Sequence, residues 1–129
     1  MTRKIAVLVG SLRKESFSRK IAKNIEALAP AGLTFEEIDI SKVGHYNQDL
    51  DGNPPAEWVE LRDKIKSADA VLFVTPEYKR SVPGVLKNAI DIASRPYGHS
   101  AFNGKPAAVV SNSPGNIGGF GAHHHLRQT

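Results

Sequence analysis

Apolar positions along the chain fall into two kinds of run. Lys4–Val9 (KIAVLV) is short, β-branched and closed by Gly10, the pattern of a buried strand. From Ser18 to Ala29 the apolar residues Ile21, Ala22, Ile25, Leu28 and Ala29 recur at helical spacing, and Pro30 and Gly32 stop the run. Leu33–Ile40 (LTFEEIDI) alternates and predicts a second strand. Residues 41–55 are rich in Gly, Asn, Asp and Pro and read as a long loop, with Pro55 suited to a first helical position. Trp58, Leu61 and Ile65 predict a second helix ending near Ser67. Ala70–Thr75 (AVLFVT) is the most strand-like run and is closed by Pro76. Pro83–Ser94 predicts a third helix with Val85, Leu86, Ala89, Ile90 and Ala93 on one side. Pro106–Ser111 (PAAVVS) predicts a fourth strand. The glycine-rich stretch Gly115–Gly121 then leads into a fourth helix starting near Ala122.

Strand and helix in alternation define an α/β fold with a parallel, doubly wound sheet. The apolar strands lack clean inside/outside alternation, as expected when helices cover both faces. Right-handed crossovers restrict the topology, and the expected strand order begins 2-1-3-4, one of the common doubly wound orders. That order puts the second, third and fourth helices on one face and only the first on the other. The usual fifth strand and last helix are missing from this sequence. A bare four-stranded face exceeds the apolar patch a soluble monomer tolerates. The expectation is a single domain over residues 1–129, C-terminally truncated or processed, or covered by a partner.

Composition narrows the class. The 129 residues are 40% hydrophobic and 23% charged, which excludes collagen-like, low-complexity and wholly disordered chains. No apolar run is long enough to cross a bilayer or to form a signal peptide, so no membrane association is expected. Cysteine is absent, which removes disulfides, thiolate metal sites and a cysteine nucleophile, and fits a cytoplasmic protein. The net charge of +4 is unevenly spread. Residues 1–23 carry seven basic side chains against one acid, Glu15, which points to an anionic ligand nearby or to a solvated helix face. Nucleic acid is not expected, since only Phe17 interleaves with the basic residues and no recognition motif is present.

In an open parallel sheet, ligands bind beyond the carboxyl ends of the strands where the strand order reverses. Three loops should converge there: 10–18, 76–83 and 112–121. The first, Gly10-Ser11-Leu12-Arg13-Lys14-Glu15-Ser16-Phe17-Ser18, joins a strand to a helix start. Amides at such a start bind anions, serine hydroxyls donate to phosphate oxygens, and Arg pairs with them bidentately. It is neither a dinucleotide fingerprint nor a nucleoside-triphosphate loop. The plainer alternative is that Ser16 or Ser18 caps the helix. The second loop, Thr75-Pro76-Glu77-Tyr78-Lys79-Arg80-Ser81-Val82-Pro83-Gly84, is stiffened by its prolines. It either flanks a flat heterocycle or is an ordinary strand-to-helix turn. The third, Asn112-Ser113-Pro114-Gly115-Asn116-Ile117-Gly118-Gly119-Phe120-Gly121, either permits close backbone approach to a ligand or is mobile. His123, His124 and His125 are neighbours on a helix and point apart, so no metal site is expected.

Together, Leu8–Lys20, Pro76–Gly84 with Leu86-Lys87-Asn88-Ala89-Ile90-Asp91, and Ser113-Pro114-Gly115 with Ile117-Gly118-Gly119 resemble the NADPH-dependent FMN reductase family, particularly its quinone- and chromate-reducing members. The likeness covers essentially the whole chain. It implies a flavodoxin-like fold, non-covalently bound FMN, NADPH or NADH as co-substrate, a small-molecule electron acceptor, and a homodimer or homotetramer. It implies a phosphate loop at Ser11, Arg13, Ser16, Phe17 and Ser18. Pro76, Glu77, Tyr78, Lys79, Arg80 and Ser81 are implied along the isoalloxazine ring, with Ser113 and Gly115 closing over it. Two departures stand out: the second motif usually has Asn in place of Lys79, and relatives continue well beyond the position of Thr129. The implied mechanism is ping-pong hydride transfer on the flavin, with no catalytic side chain. Arg80 and third-loop amides are candidates to stabilise the reduced flavin.

Three other readings compete. A flavodoxin-type electron carrier is usually acidic, unlike this chain. A response-regulator receiver needs carboxylates where this chain has Gly10-Ser11 and Thr75-Pro76. A flavin-free remnant would act only through interactions.

Overall fold

The computed structural model describes every residue from Met1 to Thr129. Four parallel strands, β1 (Arg3–Val9), β2 (Leu33–Glu37), β3 (Ala70–Thr75) and β4 (Ala107–Ser111), form one sheet in the order β2-β1-β3-β4. The sheet register sets Val7 beside Leu72 and Val9 beside Val74, and Thr75 beside Ser111. The strands therefore end together, and their connections gather at one rim. Four helices alternate with them: α1 (Phe17–Ala27), α2 (Ala56–Lys66), α3 (Gly84–Ala93) and α4 (Phe120–Leu126).

The expected partition of helices between the two faces is present. Ala6, Leu8, Val71 and Phe73 point to one face, where they pack with Trp58, Leu61 and Ile65 of α2, Leu86 and Ile92 of α3 and Leu126 of α4. Alternate residues Val7, Val9, Leu72 and Val74 point to the other, where only Ala22 of α1 is buried with them. One helix cannot cover four strands, so Ile21 and Ile25 stay half-buried, and Ala108 on edge strand β4, beside Leu72 on the same face, is exposed.

Several element ends differ from the sequence expectation for local reasons. The second strand stops at Glu37 rather than Ile40, because the Asp39 carboxylate accepts from the Ser41 amide at 2.8 Å and turns the chain. Ile38 and Ile40 are nevertheless buried. The first helix ends at Ala27, and Leu28 is its C-cap, 86% exposed rather than part of the apolar face. Pro55 and Pro83 are N-caps in extended backbone, one residue before the helices they precede. The fourth helix begins at Phe120. Within the long loop 41–55, Gln48–Leu50 forms a short 3-10 turn. No helix is long and apolar enough to cross a membrane.

Candidate functional site

The rim at the carboxyl ends of β1, β3 and β4 holds a cavity of about 180 Å3 lined by all three expected loops. Its floor is fixed by close backbone approach. Gly10 lies directly against Thr75, where any side chain on residue 10 would collide with the threonine hydroxyl and Cβ. That contact brings the first and second loops together.

From the first loop, Ser11, Arg13, Ser16, Phe17 and Ser18 all line the cavity. Ser11, Ser16 and Ser18 are buried. Ser16 is the N-cap of α1, its Oγ accepting from the Arg19 amide at 3.2 Å. Capping leaves the Ser16 hydroxyl proton free to donate, so the plainer reading and the ligand-binding one are compatible. The Ser18 hydroxyl donates to Asn112 Oδ1 at 2.6 Å, joining the first loop to the third. The amides of Phe17 and Ser18, in the first turn of α1, have no acceptor within the protein. Such amides carry the positive end of the helix dipole. Phe17 is exposed, with the Arg13 guanidinium 5.1 Å and the Lys20 ammonium 5.7 Å from its ring centre.

Pro76, Glu77 and Tyr78 line the cavity from the second loop, whereas Lys79, Arg80 and Ser81 form the turn beyond it. The Glu77 carboxylate accepts from the Ala122 amide at 3.1 Å, so it caps α4. The exposed side chains of Lys79 and Arg80 form no ion pair, and Ser81 Oγ lies 2.8 Å from His125 Nδ1 on α4. From the third loop Ser113 lines the cavity, and Gly115 lies outside it while its carbonyl accepts from Ser113 Oγ at 3.0 Å.

Two residues outside the expected set belong to this architecture. Asn112 lines the cavity and holds Ser18. Its position immediately after a strand was the available signal. Arg19 lies behind the first loop, and its guanidinium holds two loop carbonyls. Charge alone gave no sign of that use.

A larger cavity of about 580 Å3 opens toward the amino ends of β3 and β4, between α3 and the end of α4. Its lining is half apolar, including Val71, Phe73, Ile90, Phe102 and Val109, and half polar or glycine, including Lys105 and Arg127, and no helix start faces it. The smaller cavity carries the anion-binding chemistry.

A parallel sheet of this order, with buried hydroxyls and unpartnered helix-start amides at its switch point, defines a flavodoxin-like mononucleotide-binding protein. The sequence profile of the NADPH-dependent FMN reductases matches residues 3–129. The chain belongs to that family, in which FMN is the flavin and a reduced nicotinamide nucleotide the electron donor. It is 59% identical over 126 residues to a quinone reductase of Pseudomonas putida, covering 97% of this chain and 68% of that one. It is 48% identical over 127 residues to a 2-hydroxy-1,4-benzoquinone reductase of Burkholderia sp, covering 98% and 69%. Among solved structures, a flavoenzyme NAD(P)H:(acceptor) oxidoreductase of Paracoccus denitrificans superimposes with a TM-score of 0.93 at 47% identity, covering 98% of this chain and 70% of that one.

The donor set fits FMN. The buried Ser11 and Ser16 hydroxyls, the free Phe17 and Ser18 amides and Arg13 suit a phosphate dianion, while the Ser18 hydroxyl is taken up by Asn112. The small volume suits a phosphate group, and the exposed Tyr78 stands at the cavity's edge.

Proposed function

We propose that this chain is an FMN-dependent NAD(P)H:quinone oxidoreductase that acts as one domain in the cytoplasm. The observation that carries the reading is the cluster of buried Ser11, Ser16 and Ser18 beside the unpartnered Phe17 and Ser18 amides. It occurs in a chain with close likeness to quinone reductases. When bound, FMN supplies the two-electron chemistry, taking hydride from NAD(P)H and giving it to the acceptor in alternation. The protein's own part is to bind and orient. The first loop holds the phosphate through Ser11, Arg13, Ser16, Phe17 and Ser18. The stiff second loop, Pro76 to Ser81, flanks the ring, and Ser113 and Gly115 close over it. Arg80, with its guanidinium free of carboxylates, stabilises negative charge on the reduced ring; Arg80→Ala should lower the rate of reductive turnover.

A shallow, open site accepts acceptors of several shapes, flat quinones and the tetrahedral chromate oxyanion among them. A homodimer or homotetramer completes the molecule. The direct test is titration of flavin-stripped protein with FMN, followed by anaerobic mixing with NADPH and then with benzoquinone. The expected record is saturable FMN uptake, bleaching of the flavin by NADPH and recovery on adding quinone. A folded protein that takes up no FMN would overturn the reading.

A further inference from the structure

Arg19 makes the densest set of side-chain contacts around the first loop, yet it does not line the cavity. Its Nη2 donates to the Ser11 carbonyl at 3.1 Å, and its Nη1 to the Arg13 carbonyl at 3.2 Å. Its Nε donates to Glu37 Oε1 at 2.7 Å, at the end of β2. Its own amide is the one that the Ser16 hydroxyl caps. The planar guanidinium thus ties an edge strand, two loop carbonyls and the helix start into one unit, a task its fixed fork suits and a lysine's point charge does not.

The consequence follows from peptide planarity. A trans peptide sets its carbonyl and the following N–H on opposite sides. With the Ser11 and Arg13 carbonyls drawn onto Arg19, the Leu12 and Lys14 amides face away from it. No other protein group donates to the Ser11 carbonyl, so without Arg19 that peptide is free to turn. A carbonyl turned inward would set negative charge against the ligand's phosphate.

We propose that Arg19, braced by Glu37, is a positioning residue for the phosphate end of the flavin: it fixes the loop's peptide orientation without touching the ligand. This rests on the flavin-binding reading above. The fork, rather than the charge, is the operative property.

The test compares FMN with riboflavin, which has the same ring and no phosphate. Dissociation constants are measured by flavin fluorescence quenching for the unaltered chain, Arg19→Lys, Arg19→Ala and Glu37→Gln. The unaltered chain should prefer FMN. Arg19→Ala and Arg19→Lys should each weaken FMN about tenfold or more, the scale of losing charge-assisted hydrogen bonds, with riboflavin binding unchanged. Glu37→Gln, the mildest change for folding, should weaken FMN by a smaller factor and again spare riboflavin. Parallel loss of both ligands would make Arg19 a general structural residue and overturn the proposal. So would an Arg19→Lys protein that matches the unaltered chain, because charge alone would then suffice. An unaltered chain that binds both flavins equally refutes this inference while leaving the flavin reading intact. One that binds neither refutes both.

Discussion

Lys79 and Arg80 have positive φ angles of 49° and 65°, which few non-glycine residues adopt. They are the central pair of a tight turn in which Tyr78 and Ser81 exchange both backbone hydrogen bonds at 3.1 Å. Turns of this geometry favour Asn-Gly because both central residues must be left-handed. The Asn common in relatives at position 79 therefore has a backbone reason, apart from any contact its amide makes. Lys79→Asn should raise stability by about 0.5–1 kcal/mol, and Lys79→Val should lower it by about 1–2 kcal/mol, the usual scale of left-handed strain. Urea midpoints of the two variants check this, and equal midpoints would remove the strain argument. The sequence could not disclose the turn, since Lys-Arg carries no turn signature and the flanking prolines suggested only stiffness. By contrast, Ser16 and Ser18 were legible, because hydroxyls ahead of an amphipathic run are a standard helix start.

Between elements, the glycines of the third loop serve the protein's own packing. Gly118 and Gly119 take φ angles of 64° and 78°, and Gly119, the N-cap of α4, lies against Ser111 and Asn112. Gly121 lies against the Arg80 carbonyl and the Glu77 carboxylate, so that any side chain there would overlap both. Together with the Glu77 cap on Ala122, this fastens α4 to the second loop. From sequence these glycines fit either close approach to a ligand or a mobile loop, whereas the contacts of Gly119 and Gly121 are with backbone and side chains of neighbouring loops. A glycine count in a sequence signals close approach but not the object approached. Gly121→Ala should cost about 1–3 kcal/mol by overpacking, and should weaken FMN binding as the second loop is pushed outward. Thermal unfolding with and without FMN reads both effects. Glu77→Gln keeps an acceptor for Ala122 but loses its charge. It should cost about 0.5 kcal/mol, at the low end for a charge at a helix start, because α4 is short.

At the scale of the whole molecule, the α/β class was legible from alternation and apolar runs, and the division of helices between faces from handedness once a common doubly wound sheet order was adopted. The electrostatic tie of the long loop to the helices was not, since its members are scattered through the sequence. Asp51 Oδ2 accepts from Arg95 Nε and Nη2 at 3.0 and 2.9 Å and from the Tyr46 hydroxyl at 3.1 Å. Its other oxygen faces the buried Arg62 Nη2 at 4.0 Å, while Arg62 Nε donates to the Ile92 carbonyl at 3.0 Å. Loop 41–55 is thereby anchored across α2 and α3. Asp51→Asn removes the countercharge of Arg95 as well as that of the buried Arg62 and should cost about 3 kcal/mol, and adding Arg62→Met should restore only the share due to Arg62, since the Arg95 pair stays broken. Denaturant unfolding of the single and double variants measures that coupling. Acid should act at a different place. The Asp69 carboxylate accepts from the Lys4 amide at 2.8 Å and pairs with Arg3 at 3.2 Å, and these hold its pKa below the ordinary aspartate value. Asp39 is lowered in the same direction by its hydrogen bonds from Ser41. A carboxylate whose pKa is depressed by folding stabilises the native state above its unfolded pKa, and that contribution is lost as pH falls through the folded value. Stability should therefore decline below the normal aspartate range. Asp69→Asn should be less stable at neutral pH and lose less on acidification, so the two curves of urea midpoint against pH converge in acid. Curves that stay parallel would mean that Asp69 does not hold the start of β1 to the start of β3 through its charge.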